Sequence, residues 1–240
     1  MTILIAGGTK GIGLEIAKAF GGDVFLGYHS DEAAAQAARA EMGARAHLVK
    51  ADAGTPEGCA ALVEAVRATG HGIDQLVHCA VDAYATTTLD ADPRRFAQAV
   101  TTNGTSLLFL VQAALPLMKR GSSVFYLTSR GGRIVVPNYA SVGVSKALAE
   151  SLMRYLAMEL APKGIRINAI APSVVETDAV RALFGAGAAD LVRSSASHNP
   201  SGRGVKARDY TSLMRWLASP EAEFVQGQVF FVNGGANLSA

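Results

Sequence analysis

Short apolar runs of strand length alternate with longer segments of helical period along almost the whole chain. The runs fall at residues 2–6, 24–28, 46–49, 73–79, 123–128, 165–170 and 228–232. Between the first two, Ile12, Ile16, Ala19 and Phe20 recur at helical spacing. Further helices are predicted over the alanine-rich 32–42, over 56–68 behind Pro56, from Pro93 to about 119, over 139–161 and over 206–218. A strand that is followed by a helix and then another strand needs a crossover. The sheet is therefore parallel, covered on both faces, and its strands are apolar throughout. This predicts an α/β fold in three layers, a doubly wound parallel sheet of about seven strands. Half of the 240 residues are apolar and 18% are charged, which supplies a sizeable core and excludes general disorder. No linker interrupts the alternation, so a single domain over 1–240 is expected. Only residues 185–203, rich in Gly, Ala and Ser, lack a pattern; they predict a loop within a substrate lid at about 178–205.

Charge and cysteine content narrow the class further. The net charge is +2 with acids and bases interspersed, so no nucleic-acid or membrane surface is called for. The longest apolar run, 107–118, contains Gln112 and Pro116 and is too short to span a bilayer. The amino terminus has no basic start and runs into glycines, unlike a signal peptide. Cys59 and Cys79 form no disulfide framework, and His29, His47, His71 and His198 have no metal-ligand spacing. A cytoplasmic, metal-free protein is expected. Asn103-Gly-Thr105 and Asn237-Leu-Ser239 match the glycosylation sequon but carry no meaning without a secretory route.

Where the first strand becomes the first helix, the chain reads Ala6-Gly-Gly-Thr-Lys-Gly-Ile-Gly13. Gly7, Gly11 and Gly13 permit a tight turn and let a phosphate approach the helix amino end, where free N–H groups favour an anion. Three glycines alone serve any tight turn. Opening a strand–helix series, with Thr9, Lys10 and Ile12 among them, they predict a pyrophosphate site. At the end of the second strand stand Tyr28, His29 and Ser30, with no carboxylate for a ribose 2′-hydroxyl before Asp31. Lys10 is placed to pair with a 2′-phosphate, so NADPH is expected in preference to NADH.

With these residues the chain resembles the short-chain dehydrogenase/reductase family over nearly its whole length. The spacing Gly7-x3-Gly11-x-Gly13 looks like that family's cofactor turn, Asp52 like its adenine contact and Asn103 like the asparagine of its fourth helix. Ser129 and Lys146 look like its catalytic serine and lysine. Pro172 through Thr177 resembles the stretch that contacts the nicotinamide carboxamide, and Val232-Asn-Gly-Gly235 its closing motif. The resemblance implies a Rossmann-type fold and a homotetramer or dimer. It adds Ala53, Cys79, Ala80, Val174 and Thr177 to the expected cofactor contacts.

One departure from the family pattern is informative. Ketone-reducing members carry a tyrosine four residues before the lysine, where this chain has Val142. A tyrosine stands instead at Tyr139, seven residues before Lys146, still on the same side of a helix and roughly 4.5 Å further along it. Ketone reduction needs an acid at the carbon that receives hydride. Conjugate reduction puts hydride on the β-carbon while charge develops on an oxygen two carbons away, which suits a displaced donor. The Tyr-x6-Lys spacing is similar to that of enoyl-acyl-carrier-protein reductases of fatty acid or polyketide synthesis. Residues 138–159 look most like the type III (FabL-like) branch, and Val77-His-Cys79 is similar to the Val-His-Ser of other enoyl reductases. The implied roles are Tyr139 on the substrate oxygen, Lys146 lowering the phenol pKa and holding the nicotinamide ribose, and Ser129 orienting substrate or phenol. Asn103 supports Lys146 through helix backbone and water. His78 and Cys79 read as a packed, non-catalytic pair, and Tyr84 as a pocket or surface aromatic. Arg181, Arg193, Arg203, Lys206 and Arg208 around the lid offer a face for an acidic carrier protein bearing the substrate; a small-molecule thioester is the other option. Two further readings stand beside this one: a ketoreductase or conjugate reductase of a small natural-product intermediate, and a non-catalytic NADPH-binding regulator.

Overall fold

In the computed structural model, which describes residues 1–236, seven strands form one parallel sheet in the order β3-β2-β1-β4-β5-β6-β7. The Asn237 sequon lies outside the described residues. The strands are β1 Thr2–Ala6, β2 Asp23–Tyr28, β3 Ala46–Lys50, β4 Ile73–His78, β5 Met118–Leu127, β6 Arg166–Pro172 and β7 Val229–Val232. The helices are α1 Gly11–Ala19, α2 Glu32–Met42, α3 Pro56–Arg67, α4 Pro93–Val100, α5 Ser106–Ala114, α6 Ala140–Leu160, α7 Asp178–Phe184, α8 Ala188–Ser197 and α9 Ala207–Ala218. β1 is buried along its whole length because both of its faces are covered. Leu4 and Ala6 join one core with Leu62 of α3, Leu110 of α5 and Met153 of α6. Ile3 and Ile5 join the other with Ile16 of α1, Ala38 of α2 and Met214 of α9.

Local chemistry sets the helix starts. Thr55 caps α3 and Asp92 caps α4, each followed by a proline at the first helical position, where no N–H is needed. The predicted helix from Pro93 to about 119 is not uniform. It runs through α4, a π-helical turn Thr101–Thr105, α5 and a 3-10 turn Leu115–Leu117, and β5 already begins at Met118. Pro116, which has no N–H to give, ends the α-helical bonding. The whole 93–117 run is long and apolar enough to cross a membrane, but Leu107, Leu110, Val111 and Ala114 are packed in the sheet core.

The predicted loop at 185–203 is largely helical. α7 starts on the side chain of Thr177, which accepts from Val180 N–H, and α8 follows one 3-10 turn after α7. The alanines favour a helix, but α8 buries only Ala188, so no apolar period marks it in the sequence. Sheet order reverses at β1, which pairs with β2 on one side and β4 on the other. Beyond the carboxyl ends of these strands the connections diverge and leave a crevice.

Candidate active site

That crevice is a cleft of about 920 Å³. Every site residue expected from the sequence lines it except Gly13 and Asn103. Gly13 lies beneath the glycine turn, where a Cβ would run into the carbonyl oxygen of Gly7. Gly7 itself has φ +78°, and a Cβ there would meet the Ala80 backbone at 2.8 Å. α1 opens at Lys10 with no side-chain cap and no acid in its first turn. This cradle fits a pyrophosphate: a helix end with no side-chain cap, no acid in its first turn, and glycines that put no side chain in the way. The glycine turn also touches the predicted carboxamide stretch, since a Cβ on Gly11 would lie 3.2 Å from Thr177 Cγ2. Asp52 bends its own loop by accepting from Gly54 N–H at 2.8 Å and faces the cleft beside Ala53.

Lys10 does not stand as an isolated cation. Its ammonium is 2.8 Å from Asp31 and 3.1 Å from Asp178, and these partners, Asp31 first, hold its pKa above the usual lysine value. Asp31 caps α2 with its other oxygen, and Asp178 is the first residue of α7. The expected partner of a 2′-phosphate is therefore shared between the adenosine corner and the lid, alongside His29 and Ser30.

At the other end, Tyr139 donates its hydroxyl to Ser129 Oγ at 3.2 Å, and Ser129 also accepts from Gly131 N–H at 3.2 Å. Tyr139 is not inside the helix but at its N-cap, with φ −111° and ψ 10°. The strap before it is held by Thr86 N–H on the Asn138 carbonyl at 3.1 Å, with Asn138 at φ 58°, a left-handed position asparagine tolerates. Its ring lies nearly parallel to that of Phe184 at the end of α7, with centroids 6.5 Å apart. Val142 is buried, 1% exposed, so no acid stands at the ketone-reducing position. Burial raises the Tyr139 pKa above the ordinary phenol value, opposed by the Ser129 hydrogen bond and the Arg130 charge. The expected lowering by Lys146 is not found: Lys146 donates to the Leu127 carbonyl at 2.7 Å and lies over the Tyr126 ring. Its own pKa is pushed down to about 8 by burial.

Asn103 sits in the π-helical turn, a local widening of the kind that often marks functional sites. Its side chain accepts from Asp82 N–H at 2.6 Å and donates to the Asp82 carbonyl at 3.0 Å, and its own carbonyl accepts from the Tyr126 hydroxyl. Its link to Lys146 thus runs through Tyr126. His78 and Cys79 are packed as expected: burial pushes the imidazole down to about 3 and the thiol up to about 11. Tyr84 does not line the cleft; Arg95 covers its ring at 5.2 Å. The basic lid face is largely compensated, because Arg181 pairs with Glu176 and Asp178, Arg193 with Asp190 and Arg203 with Asp209. Among the described residues no His, Cys, Asp and Glu gather as a metal site. Sequence reasoning missed Tyr126, Phe184 and Gly131. The Gly131-Gly132 pair was the one visible signal, since a Cβ at 131 would lie 2.5 Å from the Tyr139 ring.

The enoyl-(acyl carrier protein) reductase family model matches residues 6–237. The chain belongs to this family, within the short-chain dehydrogenase/reductases. Among curated family relatives, it is 28% identical to a 1-cyclohexenylcarbonyl-CoA reductase of Streptomyces collinus, covering 99% of this chain and 87% of that protein. It is 33% identical to an NADH enoyl-[acyl-carrier-protein] reductase, FabI, of Synechocystis sp., over 74% of this chain and 70% of the other. A solved short-chain dehydrogenase from Burkholderia cenocepacia, in complex with NADP, superposes with a TM-score of 0.86 at 28% identity, covering 98% of this chain and 97% of that one. The chain is accordingly an oxidoreductase of a nicotinamide-binding family with the Rossmann-like fold.

Proposed function

We propose that the protein reduces the conjugated double bond of an enoyl thioester with NADPH. The observation that carries this reading is the Tyr139 hydroxyl, kept protonated by burial beside Ser129, with valine where a ketone-reducing acid belongs. A bound nicotinamide supplies hydride to the β-carbon of the substrate. The electron pair of the double bond would then move to the thioester oxygen, the phenol turns its hydrogen bond from Ser129 to that oxygen and stabilises the enolate, and a proton from water at the α-carbon completes the reduction. Ser129 orients the ring, and Lys146 holds the coenzyme ribose. Phe184 and Leu183 of α7 and Leu191 of α8 line the acyl side of the cleft. The substrate named for the Streptomyces relative is itself an α,β-unsaturated acyl thioester, which supports the same chemistry here.

The preference for NADPH rests on Lys10, with His29 and Ser30 in the same corner; a 2′-phosphate draws Lys10 away from Asp31 and Asp178. The likeness to the type III branch rests on residues 138–159 and forms part of the proposal. The thioester carrier is acyl carrier protein or coenzyme A, and the compensated lid arginines do not select between them. A homo-oligomer is part of the reading too, because Val144, Leu148, Tyr155 and Met158 leave an exposed apolar stripe along α6.

The test is NADPH consumption at 340 nm with crotonyl and longer enoyl thioesters, set beside a panel of ketones. Turnover is expected with the enoyl substrates, and Tyr139→Phe should lower it roughly 100- to 1,000-fold, the usual effect of losing one oxyanion donor, with coenzyme affinity unchanged. Faster turnover of ketones, or none with any thioester, overturns the proposal.

A further inference from the structure

The ammonium of Lys146 lies 4.6 Å from the centroid of the Tyr126 ring while its hydrogen bond goes to the Leu127 carbonyl. Tyr126 is fully buried on β5, three residues before Ser129. Its hydroxyl is tied to the Asn103 carbonyl, an acceptor in the π-helical turn. Behind the ring stands His78, with centroids 5.4 Å apart and planes tilted by 50°. Ser106 donates its hydroxyl to the Thr102 carbonyl at 2.7 Å. At the 2.6 Å contact with His78 it must therefore accept, which places the imidazole proton on Nε2. The neutral imidazole thereby braces both the π-helical turn and the tyrosine ring.

We propose that Tyr126 is the positioning residue that seats Lys146: its buried ring face carries the ammonium. The inference rests on the assignment of Lys146 to the coenzyme side of the site. An aromatic face is electron-rich, and a desolvated cation over it gains more than an exposed one. The position is needed because burial drives Lys146 toward its neutral form. The other groups that act on its charge are His78 at the end of β4, Cys79 just beyond it, and Glu150, one turn further along α6. Glu150 is itself held by the Thr128 hydroxyl at 2.7 Å and by Arg133 at 3.2 Å. Seated there, the ammonium donates to the Leu127 carbonyl of the strand beneath it, while the phenol of Tyr139 goes to Ser129.

The readout is the titration of Lys146 in the intact protein, followed by the lysine 13Cε signal and assigned by its loss in Lys146→Met. It needs no substrate, so it is separate from the test of enoyl reduction. Tyr126→Phe keeps the ring face and should leave the midpoint in place. Tyr126→Leu should lower it by roughly half a unit to one unit, the size of a desolvated cation–π contact. Where leucine does not fold, pentafluorophenylalanine at position 126 keeps the size of the ring and inverts its face potential, with the same downward shift expected. An unchanged midpoint in the leucine or fluorinated protein overturns the proposal, as does an equal shift in Tyr126→Phe.

Discussion

A Cβ on Gly131 would lie 2.5 Å from Cε1 of Tyr139 and 2.6 Å from Cδ1, so the ring stands where it does because residue 131 has no side chain. Gly131→Ala should push the phenol off Ser129 and lower kcat roughly 100-fold, with coenzyme Kd unchanged, since displacement by about 1 Å is enough for such a loss. Stopped-flow turnover paired with coenzyme fluorescence titration separates the two effects. The pH dependence belongs to Lys146. Its folded pKa is depressed to about 8, so its charge is complete below that value and is lost as pH rises through it. Coenzyme affinity should therefore weaken above about pH 8, and Lys146→Met should bind weakly with no such dependence. Tyr139, raised above the ordinary phenol range, is not the source of that limb.

At the level of elements, α7 and the glycine turn share Lys10. Removing one carboxylate from a surface ion pair changes affinities by a few-fold at most. Asp178→Asn should accordingly favour NADPH over NADH by roughly two- to five-fold in the ratio of Kd values, because Lys10 then has one competitor fewer. A ratio that stays put or moves toward NADH removes Lys10 from 2′-phosphate recognition. The central strands and α2 were legible from their residues because burial on both faces leaves an uninterrupted apolar run, and Ala-rich 32–42 has few other options; the exposed start of β5 after Met118 carries no such run. α8 was not legible. Its helix covers a cleft instead of a core, so the apolar period that announces a helix has no reason to exist there. The π-helical turn was equally silent, since one wider turn leaves no mark on a pattern of residue types.

For the whole molecule, the stability of the fold carries a pH signature from its interior. The buried His78 imidazole is held down to about 3, while in the unfolded chain it titrates near 6.5. The unfolded state then binds a proton that the fold refuses. Stability falls as pH drops through 6.5 toward 3, on the order of 1 kcal/mol per pH unit. Urea unfolding at pH 7 and pH 5 reads the loss, and it should be smaller in His78→Asn. Assembly has its own observable. Tyr155 and Met158 on α6 are 72% and 76% exposed, on the same side of the helix as Val144 and Leu148. Tyr155→Glu combined with Met158→Glu should convert a dimer or tetramer to monomer in sedimentation velocity; an unchanged state moves the interface elsewhere.

The order of the strands, the helices outside the lid, the glycine turn and the displaced Tyr139 were all present in the chain as written. Each is a local property: an apolar run, a residue without a side chain, a spacing along one helix. What stands over what is decided across distance. The sequence placed Lys146 beside Tyr139 and left Lys10 unpartnered, because helical spacing says nothing of the strand that passes beneath. Only when β5 brings Tyr126 under Lys146, and α7 brings Asp178 to Lys10, are the two cations assigned their partners. Residues 20 to 168 positions apart share a few ångströms, and electrostatics at that range outweighs any preference that neighbours in sequence can express.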